Sequence, residues 1–407
     1  MKIALIGYYE LKESLLSAAN ELQAIGYDVV GYPLFQLAFD SHSKISDYAT
    51  HLHDFIATEN PQIVLWWFTG IPYGYMTRIR NSFSTKLFAL FNWNDPFDWT
   101  PFQLEMSHID KKAALFDIVF SSCEESAGKY LENGASSALC LFPGHDVTCD
   151  KPPDNYEYDV VFGITNEYAD EQIYGDQYIV RRQLIEQLDG MRDIKFGLFG
   201  PEYLKQKYPN SYVGHASYKK MIGMYKKSRI CVCTHVISTA KKYLNERAIQ
   251  ILGSGALLLV DRVNGNDEFL NEGNCVFIDK IDPVSQVREI LASYSEYDFV
   301  KRRGYELSKQ FTWSKWAERV DCEIQAHPKI SSLTPSERKS VRVTGFNSDD
   351  YKLVFSDYCE LIKLLKTVYH NDDGSDLETT MNRIIKIIDS NPYSDINRIL
   401  EDFLNSL

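Results

Sequence analysis

The 407-residue chain has no apolar run of membrane-spanning length; residues 63–68 and 256–260 are continuous apolar runs, but only of strand length. Its eight cysteines include no C-x-x-C pair, so neither the usual zinc-site spacing nor a disulfide framework is indicated. Cys231 and Cys233 alternate within an apolar segment and are expected on one side of a strand, as buried, reduced thiols. Basic residues are in deficit, 43 against 56 acidic ones, for a net charge of −13. Phosphate backbones repel such a chain, which argues against extended nucleic-acid binding. The full G-x-G-x-x-G fingerprint is missing, so no dinucleotide cofactor is indicated. Internal repeats and low-complexity runs are missing too. Residues 1–10 hold only a short apolar run, with Glu10 and Glu13 close together, unlike an export signal, so the expected compartment is cytoplasmic.

What is present is an ordinary globular composition, 44% apolar, with 26 Tyr, 22 Phe and 6 Trp. At about 150 residues per domain the length calls for two or three domains. Residues 2–6 read as a strand, 11–25 as a helix stopped by Gly26, and 27–31 as a second strand. This βαβ opening, with Gly7 at the first strand-to-helix turn, is Rossmann-like. Further strands are expected at 63–68, 86–91, 117–121 and 138–142. The fourth runs into Asn92-Trp93-Asn94-Asp95-Pro96, at the strand end where open parallel sheets bind ligands. Residues 148–158, rich in Pro, Asp and Asn, read as a linker.

A second α/β pattern follows. Its strands are expected at 158–162 (ending at Gly163), 194–199, 230–235, 256–260 and 274–278. Helices are expected at 180–188, opening with Arg181-Arg182, and at 217–227, 283–294, 299–311 and 312–326. The loop over 164–178 is long enough to suggest a functional segment. Residues 244–261 form a short helix, a Gly-rich turn and a buried strand. Leu244, Ala248, Ile251 and Leu252 mark the helix's packed face, and Glu246, Arg247 and Gln250 lie on another. Gly253 and Gly255 are expected to end it, where φ > 0 favours glycine. The fold class is therefore α/β: two Rossmann-like domains, 1–150 and 151–328, facing across a cleft, with a helical extension over 329–407. In that extension, 350–369 and 377–388 are amphipathic, suited to packing on the body, to oligomerisation or to a partner.

These motifs, taken in order, resemble the CgeB-like glycosyltransferases, relatives of the large retaining family 4 group of the two-Rossmann (GT-B) type. The family's N-x-R-x-F-E, A-x-x-x-G, apolar strand and Asp are matched by Asn245, Arg247, Gln250, Gly255, residues 256–260 and Asp261. Its W-x-x-D-D-P resembles Trp93-Asn94-Asp95-Pro96, and its l-P-x-x-x-D resembles Phe142-Pro143-Gly144-His145-Asp146. Its y-D-V-x-F-v-G with a downstream Arg resembles residues 158–163 with Arg181 and Arg182; residues 116–121, 130–135, 267–279 and 311–320 match further elements. The resemblance covers about residues 1–326. Two positions depart from the pattern: Gln250 stands where the family has Glu, and Lys242 where related enzymes have the earlier Glu of a Glu-x7-Glu pair.

The resemblance implies transfer of a sugar, hexosyl or pentosyl, from a nucleotide-diphosphate sugar to a glycan or other hydroxyl acceptor. Retention and independence of metal are implied with it. No cofactor beyond the co-substrate is expected, and the Asp-x-Asp of metal-dependent enzymes has no counterpart near residues 92–95. Arg247 is the first candidate for phosphate contact, the alternative being an ion pair to Glu246 or Asp261. Lys241, Lys242, Arg181 and Arg182 are further candidates, each otherwise a surface cation. Gly7, Gly163, Asn245, Gln250 and Gly255 complete the expected donor site. Gln250 takes the place of the residue expected to hold the ribose hydroxyls. Asp95 is the acidic candidate on the acceptor side, as orienter or base, the alternative being a turn cap. His145-Asp146 reads as hinge structure, and His108 and His235 as isolated histidines. A non-catalytic nucleotide- or glycan-binding protein of the same fold is the competing reading, motivated by Gln250 and Lys242; a DNA-modifying glucosyltransferase is disfavoured by the charge. Expected partners are thus a nucleotide sugar and a hydroxyl acceptor, with no nucleic acid, no membrane span, and oligomerisation through the C-terminal helices as an option.

Overall fold

A computed structural model describes residues 1–7, 13–34, 45–67, 73–92, 97, 109–146, 155–164, 179–215, 217–235 and 241–333. Two six-stranded parallel sheets organise them. The first contains β1 (Lys2–Gly7), β2 (Asp28–Pro33), β3 (Ile63–Trp67), β4 (Leu87–Asn92), β5 (Ile118–Ser121) and β6 (Ala138–Cys140), in the order β2-β1-β3-β4-β5-β6. The second contains β7 (Tyr158–Gly163), β8 (Phe196–Phe199), β9 (Tyr212–Gly214), β10 (Ser228–Cys233), β11 (Leu257–Val260) and β12 (Val276–Phe277), in the order β12-β11-β10-β7-β8-β9. The expected two-Rossmann α/β fold is what the chain adopts.

The continuous apolar strands follow from burial on both faces. Ile3 and Leu5 enter one core layer of the first sheet, while Ala4 and Ile6 enter the other. In the second sheet Val160 and Phe162 lie on one side, and Val161, Cys231 and Cys233 on the other. The two cysteines thus share a side, as their spacing predicts, and both are buried free thiols.

Helices cover the first sheet: α1 (Glu13–Ala24), α2 (Ile45–Glu59), α3 (Tyr73–Ser82), α4 (Ile109–Ala113) and α5 (Glu124–Glu132). The second half carries a π-helical turn at Ile179–Gln183 followed by α6 (Leu184–Asp189), then α7 (Leu204–Lys207), α8 (Tyr218–Lys226), α9 (Glu246–Gly253), α10 (Pro283–Ala292) and α11 (Asp298–Ser308). The sequence reading had no α3, α4, α7 or β9. These elements are short or, like α3, mostly polar; α3 buries only Met76 and Ile79.

The last long helix, α12 (Trp313–Ala326), follows α11 in sequence but packs elsewhere. The sequence order assigns it to the second half, whereas its Trp313, Trp316, Ala317, Val320 and Ile324 join the core of the first sheet. The Trp316 ring lies 5.3 Å from Phe91 and 5.7 Å from Trp67. Tyr27 donates a 2.5 Å hydrogen bond to Asp321, fixing the helix beside α1. The physical reason is the open flank next to α1, which only an apolar helix face can close. The chain crosses back at His145, whose N–H donates to the Phe311 carbonyl and whose carbonyl accepts from Trp313 N–H. Gly144 is required there, because a Cβ would stand 2.5 Å from the Trp313 nitrogen. A short α13 (Pro328–Ser331) follows, and Lys329 pairs with Asp117, which also pairs with Arg80. The proposed extension lies outside the described residues from 334 onward. Among the described residues no helix is long and apolar enough to cross a membrane.

Candidate functional site

The strand order of the second sheet reverses between β7 and β10, and the carboxyl ends at such a reversal are where open α/β sheets bind ligands. Polar residues gather there. Thr234 and His235 follow β10, Asp261 follows β11, and all three are buried. Parallel register explains the meeting: Cys233 lies opposite Val260, so the next residues of both strands emerge side by side.

Arg181 reaches this edge from the π-helical turn. It is 1% exposed, and its Nε and Nη2 donate to Thr234 Oγ1 at 2.7 Å and Thr234 O at 3.0 Å. Its guanidinium carbon stands 5.8 Å from the centre of the Phe162 ring. A buried cation requires such fixed acceptors. Arg182, by contrast, pairs with Glu186 one turn along at 2.7 Å. The two adjacent arginines are therefore separated, one buried at the end of β10 and one onto the helix surface.

Asn245 starts α9. Its side chain accepts from Ala248 N–H at 3.0 Å, and its amide donates to Thr234 O at 3.3 Å. Cys233 Sγ donates to Asn245 Oδ1 at 3.2 Å. This asparagine therefore ties the helix start to the strand end. Arg247, half-buried in the first turn of α9, hydrogen-bonds the phenol of Tyr225. Burial pushes that phenol's pKa up, and the guanidinium acts in the opposite direction. Burial likewise pushes the Cys233 thiol up to about 11, with Arg247 and then Arg181 opposing. Cys233 is accordingly a protonated packing thiol, and both guanidiniums lie within electrostatic reach of it.

The glycines divide by role. Gly255 has φ +74 and closes α9 as expected. Gly253, expected to share that conformation, lies within the helix; a Cβ there would stand 2.6 Å from the His145 ring. It gives space to the crossover, not to a left-handed turn. At Gly163 a Cβ would stand 2.6 Å from Met221 Cε and 3.5 Å from Tyr225 Oη, so its missing side chain makes room for packing. Gly7 ends β1, buried. Gln250 is 5% exposed on α9.

Lys242 has another setting. It holds a left-handed backbone, φ +58, and pairs with Glu124 and Glu268, each at 2.7 Å. Lys241 joins Glu124 at 2.8 Å, and the Lys241 carbonyl accepts from Glu124 N–H at the start of α5. The segment leading into α9 is thus docked on the first half. The two lysines hold the Glu124 carboxyl below its ordinary range. Asp95 and Trp93 lie outside the described residues, as does His108.

Sequence reasoning undervalued His235 and Asp261. Asp261 Oδ1 accepts from both the backbone N–H and Nδ1 of His235, each at 2.9 Å. The pair lies 26 residues apart in sequence; the available signal was that Asp261 directly follows one buried strand and His235 comes two residues after another in the same sheet. His145, read as hinge structure, holds the crossover, with Nε2 2.9 Å from Ser308 O, and Asp146 accepts from Ser17 at 2.8 Å.

Compared with known families, residues 181–321 match a model described as glycosyl transferase-like. No curated protein matches the sequence. Among solved structures, Anabaena HepE in complex with UDP-glucose aligns at TM-score 0.57 and 10% identity, covering 80% of this chain and all of that one. Sucrose-phosphate synthase from Thermosynechococcus elongatus aligns at 0.57 and 13% identity, over 79% and 98% of the two chains. A glycosyltransferase from Rickettsia africae aligns at 0.53 and 12% identity, over 82% and 99%. At these identities the likeness is one of fold, the two-domain GT-B arrangement.

Proposed function

We propose that the protein is a glycosyltransferase that moves a sugar from a nucleotide-diphosphate sugar to a hydroxyl acceptor, with the second half holding the donor. The observation that carries this reading is the convergence of Arg181, Asn245 and Arg247 around the carboxyl ends of β7 and β10. The glycosyl transferase-like match covers those residues, and a structural neighbour holds UDP-glucose. Both support the same assignment.

In this reading Arg247 stabilises the departing diphosphate, and the Asn245-capped start of α9 adds its N-terminal partial charge. Arg181 keeps the β10 end rigid and positive. Gln250 meets the ribose, where an amide supplies hydrogen bonds without charge. Asp95 orients the acceptor hydroxyl or takes its proton. We assign the reaction to the retaining, metal-independent class on the family resemblance, and place it in the cytoplasm on composition. Lys242 leaves the donor set, because its ammonium is already shared by two carboxylates.

The test is calorimetric titration with UDP, GDP and ADP and their glucose conjugates, followed by a transfer and hydrolysis assay on whichever binds. Binding and turnover support the proposal; no binding of any of them removes it. Binding without turnover selects the alternative, a nucleotide-sugar-binding protein, which Gln250 in place of the family's Glu favours.

A further inference from the structure

His235 is one of the most enclosed side chains in the molecule, with no exposed surface. Its Nδ1 faces the Asp261 carboxylate at 2.9 Å, and a carboxylate oxygen can only accept. In the neutral ring the proton is therefore fixed on Nδ1, and Nε2 carries a lone pair. That Nε2 is buried and has no hydrogen-bond partner among the described residues. The Tyr243 ring packs edge-on at 5.7 Å and contributes no such partner. Buried polar nitrogens are ordinarily satisfied, so one held in a fixed tautomer with its lone pair unused calls for a donor from beyond the described residues, such as a bound ligand.

The position says what that donor is. His235 is the residue after Thr234, whose hydroxyl and carbonyl anchor Arg181 and whose carbonyl also receives Asn245. It therefore stands at the same sheet edge as the proposed donor site. A lone-pair nitrogen does not bond a phosphate oxygen, since both accept; it takes a donor, and the donors common to every nucleotide sugar, whatever its base, are its hydroxyls. Resting on the glycosyltransferase reading above, we propose that His235 is a binding residue whose Nε2 accepts a hydrogen bond from a hydroxyl of the nucleotide sugar. Asp261 is its positioning residue. The hydroxyl belongs to the ribose or to the transferred sugar, and the two are separable by experiment.

His235→Asn is the discriminating variant. The asparagine amide takes the place of Nδ1 and still donates to Asp261, while nothing remains where Nε2 stood. Wild type and variant are titrated with UDP, GDP and ADP and with their glucose conjugates. The expected result is a loss of about tenfold in affinity, about 1.4 kcal/mol. An equal loss for nucleotide and conjugate assigns the ribose; a loss confined to the conjugate assigns the sugar. Alongside, the imidazole nitrogens of wild type are followed by 15N NMR, and the lone-pair signal of Nε2 should move when the bound ligand is added. This second measurement stands even if the variant does not fold. Unchanged affinity in a folded variant, or an unmoved Nε2 signal at saturation, overturns the inference while leaving the function intact. Failure of the wild type to bind any of the six ligands overturns both.

Discussion

The two halves meet at two joints of opposite physical character. One is the α12 crossover, where Trp313 and Trp316 are 1% and 2% exposed against Trp67 and Phe91. The other is the Lys241–Lys242 segment, whose ammonium groups pair with Glu124 and Glu268 near the surface. The first joint rests on buried apolar area, which is non-directional and not screened by ions. The second rests on exposed charges, which water and ions screen. The difference teaches that the apolar joint anchors the two halves, while the ionic one is a latch that yields without unfolding. The latch segment runs straight into Asn245, so closing it and ordering the start of α9 involve the same stretch of chain.

The largest effect expected from this contrast is at Trp316. Truncation to alanine removes a large ring from the first core and should cost about 3–5 kcal/mol in urea unfolding. Raised salt should not diminish that cost. A loss below about 1 kcal/mol would mean that α12 is not an anchor.

Arg247→Ala sharpens the comparison by sparing both joints. On the proposed function it should lower transfer by about 10²–10³-fold, with a stability cost of about 1–3 kcal/mol where the buried Tyr225 phenol loses its hydrogen bond. A variant with full activity would detach Arg247 from the diphosphate. Gly144→Ala attacks the anchor from its other side. Its new Cβ meets Trp313 backbone atoms at 2.5 and 2.6 Å, which cannot swing away as a side-chain end can. The expected cost is about 1–3 kcal/mol, read by denaturant midpoint at constant slope. Stability equal to wild type would show that the crossover relaxes freely.

These sites also mark what was legible in the chain. The buried runs of β3, β4 and β11 and the left-handed glycine at 255 follow from local chemistry, and each stands where the sequence puts it. The resemblance also singled out Asn245, which caps α9. The destination of α12 does not follow, because an amphipathic pattern specifies a face and not the surface that covers it. Arg181 and Arg182 look alike in sequence, and only the π-helical turn sends one inward. His235 and Asp261 become partners through strand register alone. Among site residues, a cap or a turn was therefore easier to read than a pairing that crosses the sheet.

The smallest effects lie at the latch, where salt and pH should act together. Glu124 has a depressed folded pKa, so its contribution is fully present above the unfolded value of about 4.3 and is lost as pH falls through the lower folded value. Acidification below about pH 4 should therefore loosen the latch, as should raised salt. Glu124→Gln at neutral pH should lower the thermal midpoint by no more than about 3 °C, and the difference from wild type should shrink with salt. Lys242 separates charge from backbone at this joint. Lys242→Ala loses two ion pairs and keeps a side chain at φ +58, whereas Lys242→Gly loses the same pairs but adopts that angle freely. At high salt, where the charges count least, the glycine variant should unfold at the higher temperature. The reverse order would mean that the left-handed turn costs the latch nothing, and that the electrostatics of Glu124 and Glu268 alone set its strength.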